Sequence, residues 1–410
     1  MNVTCHPTTL HGKINAIPSK SDVHRKLICA ALSENSCVLQ IQPPFCEDIE
    51  ATIRCLTALG AQFSPESDGL HISPICAENK RRNVLLGCGE SGSTFRFLLP
   101  VAAAVTDSAD FTGSGRLPDR PISALTDAMA AHGVRFSSQK LPFSTSGILH
   151  GGRFEIAGNI SSQFLSGLLM ALPLCHEDSE IIVTTKLQSL SYVKMTLDTL
   201  KQFGIKIDVE NDNCYHIKGN QKFHANSMIS CDGDWSNGAF WLAANALGST
   251  IQVSGLSDES IQGDKAISTI LRDFQDAKSD LSVSMADIPD LLPILAVCAS
   301  FRNGKTQFLN AERLRLKESD RLATIAEMIR NLGGKIEEGS DNLTVFGVGL
   351  EGGLVHANGD HRLAMAAAIA ALKCKFPVEI IQADAVKKSY PAFFEDYSEL
   401  GGICSGLDLR

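Results

Sequence analysis

Pro18-Ser19-Lys20-Ser21-Asp22-Val23-His24-Arg25, then Leu27-Ile28-Cys29-Ala30-Ala31-Leu32, then the β-branched Val38-Leu39-Gln40-Ile41, is the stretch on which the fold turns. The proline closes an extended segment, and the apolar run predicts a buried helix with Ser19 or Ser21 as its N-cap. Lys20 and Arg25 would then stand where unpaired N–H groups and the helix dipole are positive. Such a terminus suits a phosphate or a carboxylate. A capped helix with two solvated basic residues accounts for the same letters.

The helix-then-strand unit recurs. Alanine-rich helix ends at Val101–Ala104, Met170–Leu172, Ala243–Leu247, Ala296–Ala299 and Ala370–Leu372 are each followed by a short strand. From Leu32 to Ala104, Leu172, Leu247, Ala299 and Leu372 the intervals are 72, 68, 75, 52 and 73 residues. A second element keeps step with the first: a helix, a glycine and a strand at Leu59-Gly60, His132-Gly133, Phe203-Gly204 and Leu332-Gly333. Glycine after a helix is a common left-handed C-cap. Asp68-Gly69 and Asp341-Asn342 read as hairpin turns. Each unit is therefore helix–strand–helix–strand–strand, and the short fourth interval implies a trimmed hairpin after Phe274. Six units divide into two sets of three, with Cys231-Asp232-Gly233-Asp234 as the crossing point. The boundaries expected are 19–231 for one lobe and 1–18 plus 232–410 for the other.

The chain has 410 residues, 44% hydrophobic and 20% charged, which suits a globular protein of more than one domain. A net charge of −9 argues against a general nucleic-acid binder while leaving room for a basic pocket. No apolar run reaches the roughly 18 residues of a membrane span. Met1-Asn2-Val3-Thr4-Cys5-His6 lacks a basic n-region and an apolar core, so no secretory leader is expected. Thirteen cysteines without a C-x-x-C pair point to small buried residues in a reducing cytoplasm, not to a disulfide framework or zinc site.

A polar segment precedes every alanine-rich helix. These are Lys20-Ser21 with Arg25, Glu90–Thr94 with Arg96, Ser161-Ser162-Gln163, Asp234–Asn237, Asp287–Asp290, and Asp360-His361-Arg362. If the units are equivalent, six helix entrances converge on one cleft and focus positive potential on a polyanion. Ordinary N-caps explain the Ser and Asp residues but not the Lys, Arg, Gln and His beside them. Gly87–Thr94 nearly fits the phosphate loop G-x-x-x-x-G-K-[ST], but Ser93 stands where the lysine belongs, leaving a bare anion-binding turn. Arg116-Leu117-Pro118-Asp119-Arg120-Pro121 is a rigid loop with two guanidinium groups suited to gripping carboxylate or phosphate. Arg313–Arg321 alternates charge and apolarity and opens a helix at Asp320; Lys317, Glu318 and Arg321 there suit proton transfer and an anion clamp, with Asp290 as a second carboxylate.

Pro18-Ser19-Lys20-Ser21-x-x-His24-Arg25, Lys317-Glu318-Ser319-Asp320-Arg321 and Asp360-His361-Arg362-Leu363-Ala364-Met365 together resemble the 5-enolpyruvylshikimate-3-phosphate synthase family (3-phosphoshikimate 1-carboxyvinyltransferases). The resemblance spans about Gly12 to Phe394. It implies an α/β (α+β) fold: a two-lobed inside-out α/β barrel of six βαβαββ-type repeats, three per lobe, joined by a two-strand hinge and closing over the substrates. It implies transfer of the enolpyruvyl group of phosphoenolpyruvate to the 5-hydroxyl of shikimate 3-phosphate, with no metal or organic cofactor. By the same resemblance, Lys20, Asp290 and Glu318 are catalytic. Shikimate 3-phosphate would be held by Lys20, Ser21, Arg25, Ser161, Ser162, Gln163, Ser189, Tyr192, Asp290 and Lys317. Phosphoenolpyruvate would be held by Lys20, Gly92, Arg120, Gln163, Arg321, Arg362 and Lys388. A monomer in the cytoplasm is expected, with small anionic partners and no nucleic acid or membrane.

Three positions depart from the family pattern: Glu90 in place of asparagine, Arg313 in place of an asparagine found in some members, and Ser93 in place of threonine. Glu90 is expected to pair with Arg96 or Lys20. The sister enzyme acting on UDP-N-acetylglucosamine shares the fold but carries a loop cysteine where this chain has Arg116–Pro121. A non-catalytic anion-binding protein is the other reading, opposed by the intact Lys20, Asp290, Glu318 and Arg362.

Overall fold

The computed structural model describes residues 1–75, 83–276 and 279–407. The six alanine-rich helices form at Lys20–Ala31, Gly92–Val105, Ser162–Ala171, Trp235–Ala246, Leu292–Phe301 and His361–Ala371. They are the most deeply buried elements: Asp22–Ala31 of the first and every residue of the last are buried. Alanine suits this place because its helix propensity is high and its small side chain lets neighbouring elements approach. The sheets lie around these helices, so the arrangement is α/β with helices inside.

Each core helix is followed by a strand: Cys37–Leu39, Ser108–Thr112, Ser179–Val183, Thr250–Ser254, Lys305–Leu309 and Val378–Ile381. A second helix and an antiparallel hairpin complete the first, second, third and fifth repeats, as in Gln62–Glu66 against Gly69–Ser73. The αL glycine expected between them is present: Gly60 caps its helix at φ 116°, and Gly133, Gly204 and Gly333 share the left-handed backbone. In the fourth repeat only the four positions 277–280 separate the helix Ile267–Asp276 from the strand Leu281–Ser284, too few for a hairpin, which explains the short interval.

The chain splits into two compact units, Lys20–Cys231, and Met1–Ser19 with Asp232–Arg410. Each has its own apolar core. In most repeats the strand before a core helix pairs in parallel with the strand after it, as Val84–Gly87 does with Ser108–Thr112. Two strands are exchanged. His11–Asn15, which precedes the first core helix, pairs with Thr250–Ser254 of the fourth repeat. Met228–Ile229, which precedes the fourth, pairs with Cys37–Leu39 of the first. Asn2–Cys5 is likewise built into the last sheet, between Val378–Ile381 and Cys404–Ser405.

Nine of the twelve described cysteines are buried, in keeping with their reading as small apolar residues; Cys76 lies outside the described residues. Among the described residues no helix is long and apolar enough to cross a membrane.

Candidate active site

In the unit Lys20–Cys231 the first core helix begins at Lys20, so Ser21 lies inside it and is not its N-cap. Ser19 stands at the cap position but donates its hydroxyl to Gln262 Oε1 at 3.2 Å. Lys20 Nζ donates to Asp48 Oδ2 at 2.6 Å. Arg25 is buried and bonded to neutral groups: Nε to Thr196 Oγ1 at 2.8 Å, Nη1 to the Ser21 carbonyl at 2.6 Å, and Nη2 to the Tyr192 carbonyl at 2.9 Å. Its guanidinium also lies 5.0 Å from the centre of the Phe97 ring. Burial lowers the Arg25 pKa to about 10, so it remains a cation at neutral pH. Burial, then Lys20 and Arg25, hold His24 well below the usual imidazole range, so it is neutral and bonds Thr52 Oγ1 at 2.8 Å.

The second entrance is a turn capped by Ser91, whose Oγ accepts from Thr94 N at 3.2 Å. Gly92 opens the helix because Arg120 occupies the space beside it: a Cβ there would come within 2.8 Å of Arg120 Nη1. The third entrance is tied to this one. Ser161 caps its helix by accepting from Gln163 N at 3.3 Å, Ser162 is buried, and Gln163 bridges Ser93 Oγ and Arg96 Nη1, each at 2.8 Å. Ser189, ahead of the helix Leu190–Gln202 that carries Tyr192, is held in left-handed backbone at φ 55°. Such a conformation is uncommon for serine and persists where surroundings impose it. The Glu90 carboxyl packs on Gly115, where a Cβ would approach its Cδ to 2.4 Å.

The other unit, Met1–Ser19 with Asp232–Arg410, gathers its charges around one guanidinium. Arg321 opens the helix Arg321–Asn331, whose cap is Asp320. Its Nε donates to Asp360 Oδ2 at 2.7 Å, Nη1 to Asp290 Oδ1 at 2.7 Å, and Nη2 to Glu318 Oε2 at 2.8 Å and Asp360 Oδ1 at 3.3 Å. Arg362 Nη2 holds the second Asp290 oxygen at 3.1 Å, and Lys317 Nζ lies 3.9 Å from the first. Asp360 also caps the last core helix, accepting from Arg362 N at 3.0 Å. Lys388 Nζ donates to the Gly359 carbonyl at 2.6 Å beside that cap.

The titration of this group follows from its contacts. Burial would raise the Asp290 pKa, but Arg362, Lys317 and Arg321 overcome it and hold the carboxyl well below its usual range. Burial pushes Lys317 down to about 8 against the opposing pull of Asp290. Burial, then repulsion from Asp290, pushes Asp264 up to about 7, and the Ser236 hydroxyl donates to it. Near neutral pH Asp290 is thus ionised and Asp264 protonatable, and the charge of Arg362 favours the ionised form of both.

The sequence profile of EPSP synthase (3-phosphoshikimate 1-carboxyvinyltransferase) matches residues 5–397. This chain belongs to the EPSP synthase family. Two relatives named 3-phosphoshikimate 1-carboxyvinyltransferase agree with it: one from Clostridium novyi, 40% identical over 427 residues and covering 98% of each chain, and one from Clostridium perfringens, 40% identical over 418 residues with 98% of each covered. A solved EPSP synthase from Acinetobacter baumannii shares the fold at a TM-score of 0.81, with 21% identity and coverage of 98% of this chain and 99% of that one. As an EPSP synthase family member, the chain has the inside-out α/β architecture that the resemblance implied.

The expected site residues of this family member fall into separate groups in the two units. Lys20, Ser21, Arg25, Gly92, Arg120, Ser161, Ser162, Gln163, Ser189 and Tyr192 are in the unit 20–231; Asp290, Lys317, Glu318, Arg321, Arg362 and Lys388 are in the other. Asp48, Asp264 and the structural partnership of Asp360 were missed in the sequence. Asp360 carried a signal, a cap residue before an alanine-rich helix. Asp48 carried none, since Glu47-Asp48-Ile49-Glu50 reads as an ordinary acidic first turn.

Proposed function

We infer that this chain transfers the enolpyruvyl group of phosphoenolpyruvate to the 5-hydroxyl of shikimate 3-phosphate, releasing phosphate. The observation that carries the chemistry is the pair Asp290 and Glu318, both bonded to Arg321. Asp290, held as a carboxylate by Arg362, Lys317 and Arg321, takes the proton of the attacking hydroxyl. Glu318 gives a proton to the methylene carbon, and the cation-like centre that develops beside it is offset by the Asp290 charge. Loss of phosphate and of a proton from that carbon then restores the double bond.

The cations match the two substrates, which are both anions. Lys20, Arg25 and the polar entrances with Ser21, Ser161, Ser162, Gln163, Ser189 and Tyr192 suit shikimate 3-phosphate. Gly92 with Arg120, and Lys20, Arg321, Arg362 and Lys388, suit phosphoenolpyruvate. When the substrate carboxylate takes up a place on Arg321, Glu318 loses part of its hold there and accepts a proton more readily. The proposal includes a monomer working in the cytoplasm without metal or organic cofactor.

The test is phosphate release by the purified protein with both substrates, with the enol ether product followed by NMR. Turnover should survive prior chelation of metal and should not occur with UDP-N-acetylglucosamine as acceptor. No phosphate release with shikimate 3-phosphate would overturn the reading.

A further inference from the structure

One cluster outside the catalytic groups has the composition of a metal site. It sits on the sheet formed by the strands Gly152–Ile156, Ser179–Val183, Cys214–Ile217 and Ile207–Asn211. Side chains alternate along a strand, so Tyr215 and Ile217 point into the core while Cys214 and His216 share the outer face. Glu180 is the cross-strand partner of His216 and lies on that face too. Glu210 joins them because the ladder is irregular between Val209 and Asn211, which frees it from regular pairing.

The donor atoms are already close. Cys214 Sγ is 3.5 Å from His216 Nε2, and His216 Nε2 is 3.4 Å from Glu210 Oε2. Glu180 Oε1 lies 3.9 Å from Cys214 Sγ and 3.7 Å from His216 Nδ1. Zinc bonds of about 2.0–2.3 Å in a tetrahedron set ligand atoms roughly 3.3–3.8 Å apart. A thiolate, an imidazole and carboxylates are the donors that zinc takes, whereas calcium or magnesium would call for oxygen alone. Arg153 Nη1 lies 3.4 Å from the other Glu180 oxygen, which leaves Oε1 toward the cluster.

We propose that Cys214, His216, Glu210 and Glu180 bind a zinc-class divalent ion on the outer face of this sheet. Cys214, His216 and Glu210 are the ligands, and Glu180 completes the shell or orients the imidazole through Nδ1. As the Sγ–metal bond forms, the thiol proton leaves to solvent; no oxidation is involved. The ion would fasten the edge strand Ile207–Asn211 to its neighbour. It has no part in the enolpyruvyl chemistry.

The test uses the full chain, stripped with chelator and titrated with Zn²⁺, and with Co²⁺ as a spectroscopic stand-in. A single equivalent should bind, with thiolate-to-cobalt charge-transfer absorption, and Zn²⁺ should raise Tm. Cys214→Ser should abolish the absorption and weaken Zn²⁺ binding at least about tenfold. His216→Gln should weaken it similarly, while His71→Gln, in the exposed cluster with Glu66 and Asp68, should leave it unchanged. Absence of the cobalt band in the parent protein, or a band and affinity that survive Cys214→Ser, would overturn the proposal.

Discussion

In the unit 20–231 the buried guanidinium of Arg25 is bonded to a hydroxyl and two carbonyls, whereas in the other unit that of Arg321 is bonded to three carboxylates. Neutral partners fix a cation in place without cancelling its charge, so the field of Arg25 stays available to a phosphate. Carboxylate partners cancel the charge of Arg321, and one of them, Asp290, is held ionised by it and its cationic neighbours. The first arrangement is suited to holding anions. The second is suited to handling protons, because small changes in who shares the guanidinium change which carboxyl is protonated.

The largest effect should come from the proton-handling side. Glu318→Gln should lower kcat by about 10²–10⁴-fold while leaving shikimate 3-phosphate binding close to the parental value. A variant retaining more than half the parental kcat would remove Glu318 from the reaction. The contrast between the guanidinium groups can be measured as stability. Arg321→Met leaves buried carboxylates without compensation and should cost about 3–5 kcal/mol in urea unfolding. Arg25→Met leaves only neutral acceptors unpaired and should cost about 1–3 kcal/mol, with shikimate 3-phosphate affinity falling well beyond that of the Arg321 variant's fold-corrected value. Equal losses of stability would erase the distinction.

Gly92→Ala tests the anion-holding side alone. The new Cβ would displace the Arg120 guanidinium, a flexible end that can move, so folding should change little. The KM for phosphoenolpyruvate should rise at least about fivefold, the equivalent of roughly 1 kcal/mol of overpacking. An unaltered KM would place Arg120 outside the substrate's reach. The smallest effect at neutral pH should come from Lys317→Arg. Lys317, lowered to about 8, is charged below that pH and loses its proton as pH rises through it. The parental kcat/KM should therefore decline above about pH 8, and arginine, which stays charged, should move the decline upward. A profile with the same alkaline limb in both proteins would assign it to another group.

The repeat was legible because its signals are local: alanine where a helix is buried, β-branched residues next, and glycine where φ must be positive, as at Gly60. The hairpin missing after Phe274 could be read from spacing alone. Of the two caps offered for the first core helix, Ser19 holds the cap position and Ser21 lies inside the helix, while the Ser19 hydroxyl donates to Gln262, 243 positions away. The charged motifs around Lys20, Glu318 and Arg362 could be found by resemblance, but their pairing could not. That Arg321 binds Asp290 and Asp360, or that Lys20 meets Asp48, depends on residues brought together by the fold. Asp264 gave no cue because its unusual titration comes from burial and from Asp290, neither of which is written near it.

The exchanged strands bear on how the protein is made. Residues 20–231 are contiguous and end with the strand that closes their own first sheet, so everything this unit requires has been synthesised by Cys231. The first nineteen residues belong instead with segments that have not yet been translated. At about 5–20 residues per second, Asn2–Cys5 and His11–Asn15 wait roughly 10–40 s before the chain after Asp232 begins to appear, and longer for Val378–Ile381. During that interval two short strands have no permanent partner, and their polar, proline-punctuated neighbourhood from His6 to Leu10 makes them poor templates for a wrong one. Vectorial synthesis thus finishes the middle of the chain first and joins its beginning to its end last.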